Sequence, residues 1–297
     1  MRSSLVLAAF ALLGCAAPNL PPAPPPKSPV VAPSTFEWRA KLDRDHPLVG
    51  KIWDVKAGDF VEPERVIEEA AKVPYVLLGE RHDNPDHHRL QARVVAELVK
   101  AVRHPQLVLE MLELEQQPAI DSFLAQPGAS AAGFGAALGW EKTSWPAFAD
   151  YQPIFEAAFA AKLPIKAGNI AQADAKALVK QGPSALAPER AQALSLDRAF
   201  PSALEAALVD ELRASHCGKL PESLLAPMAL AQHARDAQMA QVLGKAGPEE
   251  GAVLIAGGGH ARLDRGVPYY LALATPAARV VSVGFREVRH ADRSPSA

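Results

Sequence analysis

YVLLGERHDNPDHHRLQ, Tyr75 to Gln91, is the stretch on which the fold turns. Tyr75–Leu78 is a short, near-continuously apolar run. It stops abruptly, and the next residues include Glu80, His82, Asp83, Asp86, His87 and His88. An apolar run of this length without alternation reads as a strand buried on both faces, the kind found in parallel sheets covered by helices. Asn84-Pro85 then reads as a helix start, because Asn caps the first free N–H groups and Pro suits the first helical position. Glu80 to Asp83 therefore form a strand-to-helix loop, and His87 and His88 fall in the first turn of a helix, where they are expected to cap or face water.

The same pattern recurs outward from this point. Leu107–Leu109, Ile165–Ala167, Val253–Ala256 and Val280–Val283 are strand-length apolar runs separated by helical patterns. Residues 62–73 and 84–102 read as helices flanking the first strand. Between Glu115 and Gly251 the chain is mainly helical, with breaks expected at Pro146, Pro153, Pro164, Pro221 and Pro227. The fold class is α/β: a mostly parallel sheet flanked by helices, with a helical insertion over the carboxyl edge of the strands. In such sheets ligands bind at that edge. Glu80 and His82 follow the first run, Glu110 the second, Asn169 the third, and His260 with Arg262 the run that turns through Gly257–Gly259. Glu80, His82, Glu110 and His260 are thus expected to share one crevice.

Two histidines and two carboxylates suit a divalent metal, with Glu80, His82 and His260 as ligands. They equally suit a metal-free hydrolytic set in which a histidine activates water, or a buried ion-paired network with Arg81 or Arg262 as counter-ion. Spacing alone leaves the three level. No P-loop, HExxH, GxSxG or CxxC occurs, and Gly257–Gly259 lacks dinucleotide-loop spacing. In the helical insertion His216, Met228, His233, Arg235 and Met239 read as core or surface residues. Trp140, Trp145, Phe148, Tyr151 and Phe155 make either an aromatic lid on the sheet or an apolar slot for a flat ligand with a tyrosine at its edge.

At the other end, MRSSLVLAAFALLGC has a charged start, a short apolar run and Gly14-Cys15, the pattern of a signal segment. Leu12-Leu13-Gly14-Cys15 resembles a bacterial lipobox, which makes residues 1–14 a lipoprotein signal peptide and Cys15 the lipidated first residue. By resemblance to Gram-negative lipoproteins, Ala16 at the next position points to the outer membrane. Proline dominates 15–40, a semi-rigid spacer, leaving a domain at 41–286 and a tail at 287–297. The second of the two cysteines, Cys217, has no partner for an intrachain disulfide and is expected to be buried. The net charge of −2 lacks the basic excess of a nucleic-acid binder.

LLGERHDNPDHHRLQ, LVLEM, WPAFADYQPIFEAA, HCGKLP followed by MALAQHARDAQMA, and IAGGGHARLDRGVPYYL together resemble the ChaN family of haem-binding lipoproteins, in order from His46 to near Gly284. The resemblance implies a lipid-anchored envelope protein of haem or iron acquisition. It implies a homodimer holding two haems face to face, a tyrosine on each iron, and basic or histidine side chains at the propionates. Tyr151 is the expected ligand, with His216 and Arg262 as further haem contacts. The superfamily also includes Tiki/TraB-type metalloproteases and erythromycin-esterase-like hydrolases, which share a Gly-Glu-x-His and a late Gly-x-x-His element, here Gly79-Glu80-Arg81-His82 and Gly257-Gly258-Gly259-His260 with Glu110 between them. The alternative implied is therefore a hydrolase, metal-dependent or metal-free, using Glu80, His82, Glu110 and His260. Changing Cys15→Ser is expected to release the protein from the membrane fraction; unchanged membrane association and unchanged mature mass would refute the anchor.

Overall fold

The computed structural model describes residues 36–101, 103–247 and 249–295. Cys15, the signal segment and most of the proline-rich spacer lie outside them. A short hairpin comes first, β1 (Ile52–Asp54) against β2 (Asp59–Val61). Then follow α1 (Pro63–Ala71), β3 (Tyr75–Glu80), α2 (Pro85–Lys100), β4 (Gln106–Glu113), α3 (Gln117–Leu124), α4 (Ala131–Ala137), α5 (Phe148–Ala160) and β5 (Ile165–Asn169). The chain continues through α6 (Gln172–Gln181), α7 (Pro188–Ala193), α8 (Ser202–Ser215), α9 (Glu222–Gly244), β6 (Ala252–Gly257), α10 (Val267–Ala274) and β7 (Val280–Gly284). The five expected strands form one sheet, ordered β5-β4-β6-β3-β7, and all its pairings are parallel. Among the described residues no helix is long and apolar enough to cross a membrane.

Strand periodicity splits the core in two. Val76, Leu78, Leu107, Leu109, Val253 and Ile255 pack against α2 and α5, whereas Tyr75, Leu77, Val108, Leu254 and Ala256 pack against α9 and α10. Burial on both faces explains why these strands carry unbroken apolar runs. Strand β5 lies at an edge, and the Gln117 amide covers part of it. The Gln117 side chain donates to the Ile165 carbonyl (3.1 Å) and accepts from the Ala167 N–H (2.8 Å), as a neighbouring strand would.

Two features of β3 and β4 set up the carboxyl edge. A Cβ on Gly79 would lie 2.8 Å from the Ala261 Cβ and 3.0 Å from the Gly258 Cα, so only glycine lets β3 meet the turn after β6 this closely. The register of β4 against β5 shifts between Leu109 and Glu113, an irregularity that re-aims Glu110.

The structure corrects several readings. Pro153 and Pro227 lie inside α5 and α9 rather than breaking the chain. Each is the sixth residue of its helix, just past the first turn whose N–H groups have no helical partner, so little of the hydrogen-bond ladder is lost. Cys217 is exposed, not buried, with φ of +54° just beyond the end of α8. The folded unit also reaches past 41–286 at both ends. The buried Asp86 carboxylate accepts the N–H groups of Arg39 and Ala40, and Arg89 stacks over Phe36. In the tail, Glu287 accepts from the Asn84 amide and the Asp292 carbonyl meets His46.

Candidate functional site

Glu80 ends β3 with the same parity as Val76 and Leu78 and so emerges on the α2/α5 side. There its Oε1 accepts from the Tyr151 hydroxyl (2.8 Å) and meets His82 Nδ1 (2.8 Å). His88 Nε2 lies 2.9 Å from Oε2, at an angle too poor for a hydrogen bond. The His88 ring stacks on Tyr151, centroids 3.9 Å apart. Helical side chains lean toward the helix N-terminus, which swings His88, fourth residue of α2, back over the end of β3.

Glu110 has the parity of Val108 and emerges on the α9 side. Its Oε2 accepts from the Gly257 N–H (2.7 Å), and its Oε1 lies 3.3 Å from His260 Nε2 and 3.8 Å from Arg235 Nη1. His260 Nδ1 meets Asp236 Oδ1 at 2.6 Å. Asn169 donates to the Glu110 carbonyl and steadies the irregular stretch of β4. His82 joins the two halves, its Nε2 3.9 Å from Glu110 Oε2. The missing side chain of Gly257 makes room for it, since a Cβ there would lie 3.0 Å from His82 Nε2. Glu80, His88, Glu110, Tyr151, Asp236 and His260 are all buried, whereas the His82 side chain is 37% exposed and rests edge-on against Trp145.

Charge follows geometry. Burial favours a neutral Glu80, but the hydrogen bond from His82 and the nearby His88 imidazole outweigh it and hold the carboxyl below its usual range. Burial likewise opposes a charged His82, and its bond to Glu80 and the Glu110 charge reverse this, raising it. His260 is buried between two carboxylates. Desolvation pulls it down, yet Glu110 and Asp236 push it up to about 10, and Glu110 correspondingly sits well below the ordinary carboxylate range despite its burial.

The structure thus brings Glu80, His82, Glu110 and His260 together. Among the described residues no group of three or more His, Cys, Asp or Glu side chains is placed to hold a metal ion. Glu80 and His260 belong to opposite sides of the sheet, and each is bonded to its own partner, so Glu80, His82 and His260 do not converge as ligands. His216 and Arg262 stand apart: His216 bonds to Leu212 on its own helix, and Arg262 pairs with Asp264. Arg81, expected as a counter-ion, is exposed and pairs with Asp83 and Glu287.

Tyr151, expected at an iron, is fully buried and its hydroxyl already serves Glu80. Burial and the Glu80 charge hold its phenol well above the ordinary value. His87 accepts the Arg81 N–H and is pushed by burial down to about 4, a neutral loop cap. His88, by contrast, is buried inside the cluster rather than facing water. Sequence reasoning missed Asp236 and took Arg235 for a core or surface residue; the one available signal was HARD, residues 233–236, with charged side chains in a mostly apolar helix.

His260 is raised in the folded state above the unfolded value of about 6.5. The stability it contributes is complete below about pH 6.5 and is lost as pH climbs through about 10; His82 acts in the same direction. His260→Gln leaves two buried carboxylates uncompensated and is expected to cost roughly 3–5 kcal/mol at neutral pH. Urea unfolding from pH 6 to pH 10 should show wild-type and variant stabilities approaching each other; a constant gap would contradict this placement of charge.

Residues 66–271 match the family described as haem-binding uptake, Tiki superfamily, ChaN. Among solved structures the chain is similar to ChaN of Campylobacter jejuni, described for cofacial haem binding: TM-score 0.67, 23% identity, 80% of this chain and 92% of that chain covered. That identity speaks to the fold alone. A type III effector, HopBA1, aligns at a TM-score of 0.36 and 14% identity over 66% of this chain and 71% of its own, too distant to inform the reading. No curated protein matches. The family match spans well over half of the sequence, and the chain belongs to the ChaN haem-binding uptake family of the Tiki superfamily.

Proposed function

We propose that this chain binds ferric haem and serves haem or iron uptake from the cell envelope, tethered through a lipid on Cys15, in the outer membrane of a Gram-negative bacterium. The observation that carries the haem reading is the family match over residues 66–271. Support for the tether is the Met1–Cys15 pattern followed by the proline-rich spacer, which would hold the domain off the membrane surface. We further propose that two copies meet around two haems, in keeping with the cofacial binding described for ChaN of Campylobacter jejuni. Haem is flat and largely apolar, so two rings stacked between two chains are shielded from water on both outer faces. Titration of haemin into the full chain in mild detergent is expected to give a saturable visible spectrum, with the sedimenting mass doubling on loading. Absence of saturable binding would overturn the haem reading.

A second reading concerns the strand-edge cluster, and one observation favours it. The buried Glu80 carboxylate fixes His82 Nδ1, so Nε2 of this partly exposed side chain stands 3.9 Å from Glu110 Oε2. A single water can hydrogen-bond to both at about 2.8 Å. His82 Nε2 would take a proton from that water while its oxygen attacks a carbonyl carbon, and would return the proton to the leaving oxygen. Arg235 lies close enough to Glu110 to face a developing oxyanion. This chemistry uses the side chains as they are paired, with no metal. Hydrolysis of simple nitrophenyl esters by the wild type that His82→Gln abolishes would establish it; equal rates for the two proteins would sink it.

A further inference from the structure

The chain enters the folded unit beside the carboxyl edge of the sheet. Phe36 lies under the Arg89 guanidinium, and the Asp86 carboxylate, in the first turn of α2, holds the N–H groups of Arg39 and Ala40. Residues 41–48 continue from this strap and meet the tail that follows β7. There His46 Nε2 lies 3.1 Å from the Asp292 carbonyl, and His290 Nδ1 lies 3.3 Å from Asp43 Oδ1. The two segments bound an open cavity of about 540 Å³, a size that suits a small polar ligand.

Lys41, Arg44 and Arg293, all exposed, line this cavity. Arg44 donates to the Ala40 carbonyl and Arg293 to the carbonyls of His290 and Asp292. Among the described residues none of these three cations meets a carboxylate. Two of the three acidic residues in the lining are already engaged, Asp43 with His290 and Asp292 with the Arg289 N–H. The cavity therefore holds positive charge that the folded unit leaves unanswered. Residues 16–35, which join the strap to Cys15, contain Lys27 and no acidic residue, so the spacer cannot answer it either. Leu42, next to Lys41 in the chain, is 89% exposed. An exposed apolar side chain beside unpaired cations suits a bilayer surface, where the apolar part enters the acyl boundary and the cations meet anionic lipid.

Resting on the Cys15 tether proposed above, we propose that this cavity takes the phosphate of an anionic phospholipid headgroup in the membrane that carries the tether, with Leu42 entering the acyl boundary. A tethered domain meets that surface at high effective concentration, so individually weak contacts suffice. Docking of this kind fixes which side of the domain faces the membrane.

Co-sedimentation of the Cys15→Ser chain, which carries no lipid, with phosphatidylcholine vesicles tests the site apart from the tether. The apolar run at Leu5–Leu13 contributes alike to every vesicle and cancels in the comparison. Adding phosphatidylglycerol is expected to raise binding, and added salt to reverse the gain. Lys41→Gln, Arg44→Gln and Arg293→Gln should each weaken the phosphatidylglycerol-dependent binding roughly fivefold. Thermal unfolding should not change, because these side chains are exposed. Lys245→Gln makes the same charge change just past α9, at the opposite edge of the sheet, and should weaken nothing. Equal losses for Lys245→Gln and the cavity variants would reduce the effect to net charge and overturn the proposal, as would no gain on phosphatidylglycerol. Saturable binding of inorganic phosphate without that gain would make this a site for free anions, which also overturns it. The tether is judged separately, by the membrane fractionation of Cys15→Ser.

Discussion

The Glu110 carboxylate is the constraint around which the carboxyl edge is organised. A carboxylate with almost no exposure stays ionised only if donors and positive charge surround it, and each of its contacts recruits a different element. The Gly257 N–H ties it to β6, His260 to the turn after β6, Arg235 to α9, and His82 to the loop after β3. The irregular register of β4 at this point aims the side chain where these elements meet. The glycines around it follow from the same requirement: Gly79 and Gly257 clear the space in which the two loops close on each other.

From this anion the charges alternate outward on both sides of the sheet. Toward α9 run His260 and Asp236; toward α2 and α5 run His82, Glu80 and Tyr151. Such a chain is stabilising only when complete, because removing one member leaves a buried charge without its partner. It also poises one member differently from the rest. His82 alone has substantial access to solvent, while its ring is fixed by a carboxylate that Tyr151 holds in place. A fold can carry sites of separate chemistry on separate surfaces, and a groove lined by Phe200, Tyr269, Tyr270 and Leu273 shares no residue with this cluster.

Much of this was legible in the residues, for reasons that differ from element to element. A strand buried on both faces writes itself as an unbroken apolar run, so all five strands of the sheet were visible, as was the helix start at Asn84-Pro85, where Asn84 accepts from the Asp86 and His87 N–H groups. Parallel topology then places strand ends together, which is why Glu80, His82, Glu110 and His260 were expected in one place. The partners that arrive from helices were not visible. Asp236 and His88 reach the cluster through helix packing and the lean of helical side chains, and beyond the charged run at 233–236 no local pattern marks them. Whether Tyr151 belonged to a packed lid or to the edge of a slot stayed open in the sequence, because its aromatic neighbours do not reveal which way α5 faces. The β1–β2 hairpin escaped notice because its strands are three residues each, too short for a period. Pro153 and Pro227 show that a proline near a helix start costs too little to end it when packing holds the rest.

The central claim is that the strand-edge side chains form a self-contained acid–base cluster whose pairings keep Tyr151 from serving as a ligand. Anomalous diffraction at the iron edge from a crystal of the haem-loaded chain tests it most directly. The account predicts an iron peak away from the cluster, with the Tyr151–Glu80 and His260–Asp236 bonds intact. An iron peak among Glu80, His82 and Glu110, or over a displaced Tyr151, would contradict it.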